Sequence, residues 1–171
     1  MNYSIIYSSK TGNTAALAKT IQDHLTQTAP NFICLACTPV QDAAPANDDL
    51  TFIGFWTDKG SCDTGMQTYL QSLRGKRIFL FGTAGFGGSP DYFETILDHV
   101  KSHIDTSNTI CGTFMCQGKM PVSVKQRYEQ MLAADPDNVQ MQQMLKNFEQ
   151  AASHPDVSDL DALKAAMDHC L

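Results

Sequence analysis

The 171 residues, 43% hydrophobic and 18% charged, suffice for one globular domain with its own core, at roughly 150 residues per domain. That balance excludes a wholly disordered, collagenous or coiled-coil chain, and no apolar run reaches the roughly 18 residues a membrane span needs. Lys and Arg number 12 against 18 Asp and Glu, net −6, which argues against nucleic acid and, by long-range attraction, for a protein partner with a basic docking face.

The chain opens on Met1-Asn2-Tyr3-Ser4-Ile5-Ile6. No basic flank precedes this apolar run, so no export signal is expected, and the expectation is a cytoplasmic monomer. Five short apolar runs follow one another at Tyr3–Tyr7, Phe32–Ala36, Leu50–Phe55, Arg77–Gly82 and Thr109–Met115. Three are apolar almost throughout, as strands covered on both faces are. Leu17, Ile21 and Leu25 between the first two recur at helical spacing. Thr38–Asp49 holds Pro39 and Pro45 and no stripe, so the second crossover is expected to be irregular. Asp63 is a helix N-cap candidate ahead of Met66, Leu70 and Leu73, with Gly75 as a stop. Ser89 and Pro90 open a fourth segment, striped by Phe93, Ile96, Leu97, Val100 and Ile104. Strand–helix alternation of this kind predicts an α/β fold with a parallel sheet between helices.

Beyond about residue 120 the spacing predicts helices around Val122–Leu132, along Met141, Met144, Leu145 and Phe148, and after a Ser158-x-x-Asp161 capping box, with Leu160, Leu163 and Met167. These are read as an extension of a single domain spanning residues 1–171. The six cysteines are read as reduced thiols, with Cys34-x-x-Cys37 lacking the second pair or histidine that a zinc site needs. His99 and His103 share a helix face without a third ligand, so a solvated face is expected.

The strongest functional signal is Ile5-Ile6-Tyr7-Ser8-Ser9-Lys10-Thr11-Gly12-Asn13-Thr14. A strand runs into hydroxyl residues and one glycine, then into a helix. A helix start has unpaired N–H groups and a positive dipole end, Ser9, Thr11 and Thr14 add hydroxyls, and Gly12 lets the backbone bend close. This is a phosphate cradle in outline, or a capped turn without a ligand. It lacks the Gly-Lys-Ser/Thr of a nucleoside triphosphate loop and the three glycines of a dinucleotide loop.

The stretch resembles the phosphate loop of the flavodoxin family at Ile5, Ile6, Tyr7, Ser9, Gly12 and Thr14. The resemblance covers residues 1 to about 120. It implies a five-stranded doubly wound sheet of order 2-1-3-4-5 binding FMN at the carboxyl ends of the strands. It places Trp56, Thr57, Asp58, Lys59 and Gly60 after the third strand, and Thr83, Ala84, Gly85, Phe86, Gly87 and Gly88 after the fourth, around the flavin. Trp56 is then a ring stacker or a core tryptophan, and Phe86 a second stacker. Gly60 is a peptide that flips toward the reduced ring or a plain turn glycine. Lys59 is a cation favouring the anionic reduced flavin or a solvated lysine. Cys116-Gln117-Gly118-Lys119-Met120-Pro121 lines the rim, and Cys116 is read as a buried thiol. This run, with residues 55–60 and His154-Pro155-Asp156, is similar to a flavodoxin-like subgroup found beside anaerobic reductases, bilirubin reductase among them. The implied function is electron transfer to a partner reductase. The alternatives are an FMN-dependent NAD(P)H or quinone reductase and a phosphate-ligand binding module without flavin.

Overall fold

Side-chain alternation along the strands decides the layering. The computed structural model describes residues 1–87 and 89–171. Strands β1 (Asn2–Tyr7), β2 (Ile33–Pro39), β3 (Leu50–Trp56), β4 (Arg77–Ala84) and β5 (Thr109–Gln117) form one parallel sheet ordered β2-β1-β3-β4-β5. On one face Tyr3, Ile5, Phe52, Phe79 and Phe81 pack with Leu17, Ile21 and Leu25 of α1 (Asn13–Thr28) and Leu163 and Met167 of α6 (Val157–Asp168). On the other, Ile53, Phe55, Ile78 and Leu80 meet Met66 and Leu70 of α2 (Thr64–Ser72) and Ile96, Leu97 and Val100 of α3 (Pro90–Lys101). Each such side chain contributes about 1.5–3 kcal/mol on burial, so strands filled on both faces read as continuous apolar runs. The register sets Phe81 opposite Gly54 and Phe55 opposite Gly82, and each ring occupies the space a Cβ on the facing glycine would need.

Helix starts follow the chemistry of their first residues. Asp63 accepts from the N–H groups of Gly65 and Met66, and Ser89 from that of Tyr92. The second crossover holds only a 3-10 turn, Val40–Asp42, as its prolines suggest. The remaining helices, α4 (Val122–Ala134) and α5 (Val139–Ala151), pack chiefly on each other.

Two expectations are corrected. The last helix is capped by an Asp156–Asp159 box, not by Ser158 and Asp161, because an aspartate two residues earlier reaches the free N–H first and Asp159 returns the bond. The cysteines are not all thiols either. Cys111 of β5 and Cys170 just past α6 form a disulfide, while Cys34, Cys37, Cys62 and Cys116 remain free. Packing of α6 on β5 creates that pairing, and no local spacing announces it.

Candidate functional site

The first loop is built by α1. Gly12, at φ 90°, turns the chain into the helix, a conformation only glycine adopts without strain. The N–H groups of Asn13 and Thr14 then open the helix with no carbonyl a turn behind them to accept. Ser9 is used locally, its Oγ accepting from Ala15 N–H at 3.2 Å. Asn13 is 7% exposed; its Nδ2 donates to Lys119 O at 2.9 Å and Thr11 Oγ1 at 3.2 Å, while its buried Oδ1 has no partner. A buried acceptor without a donor costs about 1–3 kcal/mol, so Asn13 is poised for one.

The loops brace one another through Thr83 and Gly85. Thr83 Oγ1 pairs with Thr14 Oγ1 at 3.0 Å in a fully buried bond, and Thr83 O accepts from Thr57 N and Oγ1. Gly85 O accepts from Gln117 Nε2 at 3.1 Å and from Asn147 Nδ2 of α5 at 3.0 Å. Gly118 N–H donates to Ala84 O, and Lys119 N–H to His154 O. Asp58 and Ser61 exchange two backbone bonds around Lys59, φ 49°, and Gly60, φ 80°, and the Gly60 carbonyl lies 2.8 Å from His99 Nδ1 of α3. His99 thus anchors the turn rather than facing only solvent.

These loops enclose a cavity of about 400 Å³ at the carboxyl ends of the strands. Of the residues singled out by sequence, Lys10, Thr11, Asn13, Trp56, Thr57 and Lys59 line it, as do Gly60, Thr83, Ala84, Gly85 and Phe86. Thr14 lies behind the wall, Ser9 caps α1, and Gln117 braces Gly85. Gly12 opens instead onto a neighbouring hollow of about 250 Å³, and Asp58 and Gly87 line neither. Gly88 lies outside the described residues. Sequence reasoning missed Tyr92, Val124 and Asn147, which no motif marks; Met120 and Pro121 stood in the strand-end run quoted for its rim position.

Charge in the cavity is one-sided. Lys10, Lys59 and Lys119 line it, and no Asp or Glu does among the described residues. Lys10 Nζ stands 5.0 Å from the Trp56 ring centroid. An exposed contact of that kind is worth about 0.5–1 kcal/mol, little enough for a planar ligand to displace.

A model of the family described as flavodoxin domain matches residues 4–168. The chain belongs to the flavodoxin family. It is 36% identical over 156 residues to the flavodoxin-like domain-containing protein BilS of Clostridioides difficile (strain CD3), covering 91% of this chain and 88% of that protein. It is 35% identical over 177 aligned positions to the BilS protein of Clostridium symbiosum (strain WAL-14163), covering 96% and 93%. Among solved structures, a Streptococcus pneumonia TIGR4 flavodoxin superposes with a TM-score of 0.55 at 14% identity, covering 90% of this chain and 99% of that one, a likeness of fold alone.

Other reactive groups of this flavodoxin-family chain are committed elsewhere. Burial pushes the Cys116 thiol far up, with Asp159 and Asp156 adding to it, so it stays protonated beside the site. Burial likewise lifts Cys62 to about 11. His154, Asp156 and Asp159 are the one group among the described residues with metal-ligand chemistry close together. Its carboxylates already accept the helix-cap N–H bonds, and His154 Nδ1 sits 2.6 Å from Asp159. No helix among the described residues is long and apolar enough to cross a membrane.

Proposed function

We propose that the chain binds FMN noncovalently in this cavity and passes electrons to a partner protein. The observation that carries the reading is the one-sided cup: a helix start and three lysines beside aromatic walls, with no carboxylate in the lining among the described residues to repel an anion. Family membership supports it. Thr11 and the N–H groups at the start of α1 would hold the phosphate, and Asn13 Oδ1 would accept from a hydroxyl of the ligand. Trp56, Phe86 and Tyr92 would bound the ring, and the Gly85 backbone, fixed by Gln117 and Asn147, would meet its polar edge. FMN, when bound, supplies the electron storage; the protein supplies orientation, water exclusion and charge.

The resemblance to a subgroup found beside bilirubin reductase makes a reductase the proposed partner. Among the described residues the cup's lining holds no His, Cys, Asp or Glu to serve as a nucleophile–base pair, which favours carriage over chemistry on a substrate of its own. The test is a titration of purified protein into FMN. Quenching of flavin fluorescence at one equivalent is the expected result; unquenched FMN at saturating protein would overturn the proposal. NADH or NADPH alone should leave the bound flavin oxidised, and rapid bleaching would move the reading to an NAD(P)H or quinone reductase.

A further inference from the structure

The net charge and the charge at the cavity have opposite signs. Lys10 follows β1, Lys59 follows β3 and Lys119 follows β5, so three separate loops bring lysines to one mouth. All three are exposed, and none is in an ion pair among the described residues; of the other lysines only Lys146 shares that, while Lys19, Lys76, Lys125 and Lys164 each have one and Lys101 has two. Phe86 and Tyr92, 37% and 36% exposed, line the same cavity, as do Met120 and Val124. The nearest carboxylates in sequence, Asp58 and Asp91, do not line the cavity, and Glu94 and Asp98 of α3 face Lys101.

We infer that this rim is the docking surface for a protein whose redox face is acidic around an apolar centre. The inference rests on the proposed electron-carrier function and names the partner's chemistry. Exposed aromatics ringed by charge are the usual make-up of an interface centre and its rim. Rim charges choose partners and set orientation by complementarity at short range, where the screening length is about 10 Å. The chain-wide charge of −6 is a sum without positions, whereas the three lysines, without an ion pair among the described residues, stand at the contact itself. The basic-faced partner suggested by net charge alone therefore gives way to one that presents carboxylates.

The test titrates ¹⁵N-labelled full-length protein, with and without FMN, with an acidic b-type cytochrome and with a basic c-type cytochrome, both oxidised. With the acidic probe, amide shifts should concentrate at Lys10, Lys59, Phe86, Tyr92 and Lys119. Affinity should fall about tenfold between roughly 20 and 200 mM salt. K59E/K119E should weaken it by at least about tenfold, and K59Q/K119Q by less, as charge requires and misfolding would not. Rim shifts with the basic probe, or none with the acidic one, would overturn the inference. Failure of FMN to bind would remove the cofactor reading instead, and the titration without FMN keeps the two results apart.

Discussion

The two ends of the sheet each carry a cavity of about 400 Å³, yet they handle charge in opposite ways. At the amino ends, Ser4, Asp48, Thr51, Tyr69, Arg74 and Lys76 line a space in which both cations are matched, Arg74 by Asp105 and Lys76 by Asp48. Lys76 Nζ bonds Asp48 Oδ1 at 2.5 Å and the Ala46 carbonyl at 2.7 Å, and Asp48 also accepts from Thr51. At the carboxyl ends three lysines line the cavity with no Asp or Glu beside them in its lining among the described residues. Equal volume thus goes with different roles: paired charge fastens a loop to the sheet, and unpaired charge is available to a ligand.

The largest expected effect would break the amino-terminal end. Asp48→Ala strands Lys76, whose side chain is 24% exposed, and should cost about 3 kcal/mol in a denaturant melt. A loss under about 1 kcal/mol would mean that water already does the work of the carboxylate. Next, Gly82→Ala drives a methyl into the Phe55 ring between the two ends and should cost about 1–3 kcal/mol. At the carboxyl end, Trp56→Ala should weaken FMN about tenfold, the scale of one aromatic stacking contact, with little change in melting. An unchanged dissociation constant would place the ring elsewhere in the cup. Smallest, Lys59→Glu should make the lower reduction potential of bound FMN more negative by about 40 mV, roughly 1 kcal/mol for reversing one charge in a high-dielectric setting. The same variant should leave stability within about 0.5 kcal/mol, because Lys59 is exposed. An unmoved potential would class it with solvated lysines.

Most of what the sheet does was legible in residue patterns, because burial on two faces writes itself as apolar runs and helix caps sit beside their helices. Asp63, Ser89 and Pro90 are local signals and took the expected positions. The loop of Ser9–Thr14 was legible as a helix start, but the separate tasks of its hydroxyls were not. Thr14 is turned inward by Thr83, 69 residues away, and nothing in the loop distinguishes it from Thr11. The Cys111–Cys170 bond, the wall contributed by Tyr92 and Val124, and the convergence of three lysines all depend on contacts far apart in the chain. Net charge alone says nothing of the lysines that gather at the cavity, because a sum over the chain carries no positions.

The bond from Asn147 to the Gly85 carbonyl, shared with Gln117, ties the last third of the polypeptide to the loop after β4. A fragment cut after β5 would retain all five strands but leave that carbonyl with one donor fewer and the loop without its outer support. Helix α5 therefore works as a buttress, and transplanting the cup onto another scaffold would require carrying that buttress along.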